Sequence, residues 1–306
     1  MRSIIRDETG AAGLPPTVSN LPRDRIPDVP SQSPPLDVKR FSVLTAAIIL
    51  ASGLSRLVRL PSREFIVTVL NIHWIVGVNG PMLFMVLLGA LVASGAYSIF
   101  RSHSTGSTLP GEREGLGLHL IIPALTAIAG GAALSLVPSG PRWWVGLALL
   151  SALVVLAVAG EYLALDRDDP HYDQAALGLE ILAYSLLVLV FSALHAADTR
   201  LAIALPLVAL STSILILRVL ALAAPLNPRM WSYMAGIGLL VGQLALPLDF
   251  WPLPSVAYGL GLTVSAYVLG GLGSLRLQSK LRRASLVEYG VVAGLAMVAL
   301  LAITKR

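Results

Sequence analysis

The sequence predicts an all-α polytopic membrane protein, a bundle of about nine transmembrane helices with a short surface β-hairpin between the first two. Hydrophobic residues make up 56% of the 306-residue chain and charged residues only 13%, against about 25% charged residues in a soluble domain. The apolar residues occur in successive stretches of about 20, the length of helix that crosses the hydrocarbon core of a bilayer. Too few polar residues remain to cover a soluble core, so lipid is the expected solvent for much of the surface.

Residues Met1 to Val38 form the first segment, which we predict to be a disordered cytosolic tail. Seven prolines lie here among serine, aspartate and arginine residues. Such a segment buries too little apolar area to offset the entropy that is lost when a chain becomes ordered. We expect a solvated tail, and the alternative is a docking segment for a protein partner.

Residues 39–306 are predicted to form one transmembrane helical domain. Turn residues such as Pro138 to Pro141 and Pro225 to Pro228 separate its apolar stretches. The predicted spans are Phe41–Leu60, Pro81–Phe100, Leu116–Val137, Trp143–Leu165, Gln174–Ala196, Leu201–Ala223, Trp231–Leu253, Val256–Leu277 and Leu286–Thr304.

Glycines in the last two predicted helices indicate where helices pack closely. Gly290 and Gly294 are four positions apart, and Gly270, Gly271 and Gly273 lie in the helix before. Small residues at such positions let two helix backbones approach one another. We expect these surfaces to pack within the chain rather than in a dimer.

The stretch 64–80, between the first two spans, is predicted to be an interfacial β-hairpin. It is too short to cross a bilayer as a helix and is rich in β-branched and aromatic residues, with Asn71 at its centre. Those are strand and turn signals. Open sheet edges are not tolerated in hydrocarbon, so we expect Glu64–Leu70 and His73–Val78 to pair at the membrane surface. The alternative is a re-entrant helix.

Lysine and arginine residues predict the orientation of the chain in a cell membrane, an inner or plasma membrane. With nine spans, fourteen of these residues lie on the side of the N-terminus and seven on the other side. Cytoplasmic loops carry the excess of positive charge. The N-terminus is therefore predicted to be cytoplasmic. Because the charges lie mostly in the tail and loops, they indicate topology, and no nucleic-acid partner is predicted.

Ionisable residues within the spans are the candidate functional groups, since such residues are costly in a bilayer and default to a functional hypothesis. Four of them are expected to converge in the cytoplasmic leaflet, because their helices begin or end on that side. The full set of ionisable residues in or at the ends of the spans is Arg56, His119, Glu161, Glu180, His195, Arg218 and Asp249.

The four expected to converge are Glu161, Glu180, Arg218 and His119. An arginine near two carboxylates would compensate their buried charge. One interpretation is a binding site for a proton, a cation or a lipid headgroup. The alternative is a clamp between helices, or side chains that extend to the lipid headgroups.

The loop from Asp166 to Asp173 is the most highly charged part of the predicted membrane domain. It lacks the alternating ligands and the glycine turn of a calcium loop, and Asp173 is well placed to cap the next helix. We therefore predict a capping loop and no metal site. The chain has no cysteine, which excludes thiol catalysis and thiolate metal sites, and no cofactor is predicted.

The chain does not match the intramembrane prenyltransferases, because the second acidic loop of those enzymes is missing. From about Phe41 onward the layout of the chain is marked by the segments Phe100–His103, His119–Thr126, Trp143-Trp144, Glu161–Leu163, Val241–Gln243 and Trp251–Leu253. In this layout the chain resembles a family of bacterial multi-pass membrane proteins of unknown function. The resemblance implies no activity.

Three classes of function stay open, and no catalytic motif favours an enzyme. The first is a membrane-embedded binding or transport module that works through the four-residue cluster. The second is a non-catalytic assembly or scaffold protein that binds a partner through residues 1–38 or 64–80. The third is a membrane enzyme that acts on a lipid.

Overall fold

A computed structural model of the protein describes residues 38–57, 63–69, 72–78, 80–103, 116–138 and 140–304. The predicted disordered tail lies outside the described residues, apart from Val38, which begins the first helix. The predicted membrane domain falls largely within them.

Nine α-helices make up most of this described part. Except at the start of α3, which lies five residues after the expected Leu116, they begin and end within about one turn of the spans expected from the sequence. The helices are α1 (Val38–Leu57), α2 (Gly80–His103), α3 (Ile121–Leu136), α4 (Pro141–Leu163), α5 (Tyr172–Ala196), α6 (Leu201–Ala223), α7 (Pro228–Asp249), α8 (Ser255–Leu277) and α9 (Arg283–Thr304), and a 3-10 turn, Leu118–Leu120, precedes α3.

Eight of the nine helices in the described residues, α2 to α9, are long and apolar enough to cross a membrane. They are the features of a multi-pass membrane protein. Helix α1 is not among them. Lys39 and Arg40 at its start and Arg56 near its end leave an apolar stretch shorter than the roughly 20 residues that a span needs. The sequence analysis predicted nine spans, and there are nine only if α1 also crosses the membrane.

The segment between α1 and α2 forms two strands, β1 (Arg63–Val69) and β2 (Ile72–Val78). They pair in an antiparallel ribbon whose register runs from Arg63 opposite Val78 to Val69 opposite Ile72. β-Branched residues favour this extended conformation. The pairing by itself says nothing of a bilayer, so a location at the membrane surface stays a prediction.

Two clusters of buried apolar side chains hold the helices together. Among the described residues, one joins α1 to α4 and the other joins α3 to α9. Helices α6 and α7 approach most closely at Gly238, where an added Cβ would lie 2.6 Å from the carbonyl oxygen of Ala209. Helices α5 and α8 meet in the same way at Gly259, 2.8 Å from the carbonyl oxygen of Val188. Both crossings depend on the absence of a side chain.

Candidate functional site

Arg218, Glu161 and His119 meet in a buried triad. The Arg218 Nε donates a hydrogen bond to Glu161 Oε1 at 3.0 Å, and Arg218 Nη2 donates a second one to Oε2. His119 Nδ1 lies 2.9 Å from Glu161 Oε2 and 3.2 Å from Arg218 Nη2. The side chains of Glu161 and Arg218 are 0% and 2% exposed, and that of His119 is 16% exposed.

The direction of each helix brings these three residues to one end of the bundle. His119 lies in the 3-10 turn that leads into α3, Glu161 lies in the last turn of α4, and Arg218 is near the end of α6. Consecutive helices run in opposite directions, so a helix start and two helix ends lie together. The structure thus brings together three of the residues that the sequence analysis expected to converge, and their location in the cytoplasmic leaflet stays a prediction.

Side chains from three other segments fix the end of α6. Arg167 donates to the carbonyl oxygen of Ala221, the Tyr172 hydroxyl to that of Leu222, and Gln278 to that of Ala223. The last carbonyl groups of a helix have no partner within the helix. Satisfying three in a row anchors the turn that carries Arg218.

The triad is a charge-compensated unit. An arginine that donates two parallel hydrogen bonds to one carboxylate forms the strongest common type of ion pair. His119 Nδ1 faces an acceptor on Glu161 and a donor on Arg218, so it serves one of them at a time. With a proton on Nδ1 it donates to Glu161, and without one it accepts from Arg218.

Glu180 lies on a different face of its helix and does not join the triad. Leu179, the residue before it, is buried and packs against Gly160 of α4. One residue is a rotation of about 100° in an α-helix, so Glu180 is directed away from α4. Its electrostatic neighbours are Tyr184 and Tyr289. The structure thus brings together three of the four residues that the sequence analysis grouped.

Two electrostatic neighbours of Glu180, Tyr184 and Tyr289, belong to a group of tyrosines from three helices that we call the tyrosine cluster: Tyr184 of α5, Tyr267 of α8 and Tyr289 of α9. The rings of Tyr184 and Tyr267 are 5.4 Å apart at 76°, and those of Tyr267 and Tyr289 are 5.6 Å apart at 50°. Sequence reasoning did not find them. The available signal was the four-residue spacing of Glu180 and Tyr184, which places both on one helix face.

Two glycines of α8 let the tyrosine hydroxyl groups approach its backbone. An added Cβ at Gly270 would lie 3.1 Å from Tyr184 Oη, and one at Gly271 would lie 2.3 Å from Tyr289 Oη. The Tyr184 hydroxyl is buried without a hydrogen-bond partner among the described residues. This part of the predicted small-residue surface therefore packs against side chains within the chain.

His195 and Asp249 form a separate polar group where α5 and α7 end. His195 Nδ1 lies 3.4 Å from Asp249 Oδ1, and its Nε2 lies 3.3 Å from the carbonyl oxygen of Leu253. The ring stacks on Tyr258 at 4.3 Å. A cavity of about 110 Å³ adjoins this group, bounded also by Asp198. Both nitrogens of His195 have partners, so its ring is held in one orientation.

The acidic loop uses its carboxylates to hold its own backbone. Asp166 Oδ1 accepts a hydrogen bond from the amide of Asp168, and Asp169 Oδ1 accepts one from the amide of His171. Such side-chain turns are typical of aspartate in loops. Asp173 was predicted to cap a helix that starts at Gln174, which is wrong because the helix begins two residues earlier, at Tyr172, and Asp173 lies in its first turn.

Comparison with known proteins gives a family but no activity. A family described as a protein of unknown function, DUF5656, matches residues 60–303. Neither the curated proteins nor the solved structures gave a match. The match covers most of the chain and includes the triad, Glu180 and the tyrosine cluster, and it confirms the resemblance to an uncharacterised family. The chain therefore belongs to the DUF5656 family of proteins of unknown function.

Proposed function

We propose that this protein is a membrane-embedded binding module that holds a positively charged ligand at Glu180. One observation carries the proposal: Glu180 lies within a span, and among the described residues no cationic side chain pairs with it. An ionised carboxylate that is partly withdrawn from water requires a compensating charge. A bound cation supplies that charge.

The triad supports this assignment, because the charge of its carboxylate, unlike that of Glu180, is already compensated. Glu161 is fully buried, but Arg218 compensates its charge and His119 occupies its second oxygen. No oxygen of Glu161 is left for a ligand without breaking a buried ion pair, which is costly. We therefore assign to the triad the role of a framework that holds α4 and α6 in register with the turn before α3, and to Glu180 the binding role.

The proposal is tested by thermal unfolding of the purified protein in a nonionic detergent. Sodium, magnesium and tetramethylammonium chlorides are added at equal ionic strength. A ligand that binds only the folded state raises the melting temperature, so we expect at least one cation to raise it. Glu180→Gln should abolish that rise, because it removes the charge and leaves the shape of the side chain.

Asp173→Asn is the matched control for this experiment. It removes the same charge from the same helix, at an exposed position in the first turn. We expect it to keep the cation response of the wild type. The proposal is overturned if no cation raises the melting temperature, or if Glu180→Gln responds as the wild type does.

We also propose the orientation that the positive charges indicate, with nine spans that include α1. The chain has no cysteine, so single cysteines report topology without background. Ser19→Cys in the tail and Ser279→Cys between α8 and α9 should react with an impermeant maleimide only after the cells are permeabilised. Lys305→Cys should react in intact cells or spheroplasts, since nine spans place the two ends on opposite sides. Labelling of Ser19→Cys and Lys305→Cys from the same side would show an even number of spans and exclude α1.

A further inference from the structure

We infer that Glu180 and the tyrosine cluster bind an organic ammonium group, either the headgroup of an amine-containing lipid or a small soluble amine. The inference rests on the proposed function and names the class of cation. It is carried by Glu180, which has no ion-pair partner among the described residues, and by Tyr184 one turn further along α5, whose ring contacts Tyr267 of α8, which in turn contacts Tyr289 of α9.

The rings supply the first part of the recognition. Tyr184, Tyr267 and Tyr289 are inclined to one another by 76° and 50°, with neighbouring centres 5.4 and 5.6 Å apart. The rings of Tyr184 and Tyr267 meet edge to face, so a cation is expected at the ring faces that the neighbouring tyrosines leave uncovered. A cation is attracted to an aromatic face by the ring quadrupole, and several inclined faces are the arrangement that holds a quaternary ammonium.

The oxygen atoms at this position favour an organic cation over a hard metal ion. Calcium requires six to eight oxygen ligands, and magnesium requires a near-octahedral set. Glu180 offers two oxygens, and the buried hydroxyl of Tyr184 offers one more. An ammonium group needs only one counter-charge and one or two acceptors, and its carbon substituents gain from contact with the rings.

The hydroxyl of Tyr184 adds a specific contact. It is buried and has no hydrogen-bond partner among the residues that the structure describes. Buried polar atoms of this kind are uncommon and are usually satisfied by a bound molecule or by water. A ligand with an N–H group would donate to this oxygen, whereas tetramethylammonium and choline have no N–H and would bind through the carboxylate and the rings alone.

Gly270 and Gly271 of α8 leave the space that the tyrosine side chains occupy. Gly271 contributes no side chain, and Tyr289 occupies the space, with its hydroxyl 2.3 Å from where a Cβ would lie. Gly271→Ala therefore displaces the end of the Tyr289 side chain and leaves Glu180 unchanged. Gly271 is a positioning residue, and this variant separates the contribution of ring geometry from that of charge.

The site is open to the lipid side of the bundle. Tyr267 is 38% exposed, and Glu180 and Tyr289 are partly exposed. Helix α9 packs mainly against α8 and has 6% of its span buried. A ligand thus reaches Glu180, Tyr267 and Tyr289 from the membrane, whereas the buried hydroxyl of Tyr184 becomes accessible only if the side chains around it move.

The test measures melting temperatures of the full chain in nonionic detergent, with tetramethylammonium chloride titrated against sodium chloride at the same ionic strength. We expect stabilisation by tetramethylammonium and none by sodium. Glu180→Gln should weaken the apparent affinity about tenfold, the typical contribution of one charged contact, and Tyr267→Leu should weaken it by a similar factor because it removes a cation–π contact. Tyr267→Phe should retain the affinity, because the ring face remains, and Gly271→Ala should reduce it. Asp173→Asn is the control that keeps the wild-type response.

A second set of measurements, with added lipids, distinguishes the two sources of the ammonium group. The detergent-solubilised protein is supplemented with phosphatidylethanolamine, phosphatidylcholine or phosphatidylglycerol. Stabilisation by either of the first two and not by phosphatidylglycerol identifies a lipid headgroup. A response to soluble tetramethylammonium alone identifies a small amine. Either result supports the inference.

Other outcomes separate this inference from the proposed function. Stabilisation by sodium or magnesium that depends on Glu180, without a response to ammonium compounds, overturns the inference and leaves the proposed function standing. An ammonium response that persists in Tyr267→Leu and Gly271→Ala also overturns the inference, because the rings then play no part. No response to any cation overturns both.

Discussion

Replacing Arg218 by leucine is expected to lower the free energy of unfolding by about 3–5 kcal/mol, the usual cost of breaking a buried ion pair from one side. The substitution leaves the carboxylate of Glu161, which is 0% exposed, without the two hydrogen bonds that Arg218 donates to it. Chemical unfolding in detergent micelles measures the effect. Leu210→Ala on the same helix is the control, because Leu210 is 56% exposed and its truncation leaves no buried charge.

A second substitution tests whether stranded charge is the cause. Glu161→Gln in the Arg218→Leu background should recover part of the lost stability, because it removes the uncompensated carboxylate. Glu180→Gln in the same background should recover none, since Glu180 lies outside the triad. Equal stability of Arg218→Leu and the wild type would show that the triad contributes nothing to the fold. Equal rescue by both glutamine variants would show that the two glutamates belong to one cluster.

The sequence predicted the depth of each polar residue better than the direction of its side chain. Position along a helix and the alternation of helix directions were sufficient to bring His119, Glu161 and Arg218 to one end of the bundle. They were not sufficient for Glu180, whose direction depends on rotation about the helix axis. A helix that is apolar on all sides carries no polar stripe to show which face is buried. The decisive contact, Leu179 against Gly160, is tertiary.

The tyrosine cluster could not be predicted from the sequence either, because it depends on tertiary packing. Each of its three residues lies in a separate helix, and none has a partner nearby in the sequence except Tyr184, one turn from Glu180. Their proximity follows from the packing of α5, α8 and α9. Helix existence and length were readable because they depend on local apolar composition, whereas the site depends on which helices are neighbours.

The glycines that lie at the closest helix contacts in the structure are also not the ones that the sequence analysis singled out. Gly290 and Gly294 show the familiar four-residue spacing, yet an added Cβ at either would meet nothing within 4 Å. The closest contacts with a neighbouring backbone occur at Gly238 and Gly259. Gly238 has the same four-residue spacing, with Gly242, but the sequence analysis did not single it out. A pair motif identifies a surface that permits close packing, but the point at which two helices cross is set by the whole bundle.

Gly238→Ala is therefore expected to destabilise the protein by about 1–3 kcal/mol, the usual cost of adding a methyl group to a filled core. The new Cβ would lie 2.0 Å from Ser213 Oγ and 2.6 Å from the carbonyl oxygen of Ala209. The serine side chain is free to rotate only by giving up its hydrogen bonds to Ala209 and Met234. The carbonyl group belongs to the backbone of α6 and moves only if the helices separate.

Gly236→Ala provides the matched comparison, because Gly236 lies in the same helix, two residues away, with nothing within 4 Å of its added Cβ. We expect this variant to unfold like the wild type, so the difference between the two alanine variants isolates the helix crossing. Thermal unfolding in the same detergent compares them directly. If Gly238→Ala is as stable as Gly236→Ala, α6 and α7 do not cross at Gly238. The placement of Arg218, which α6 carries to the triad, would then need a different support.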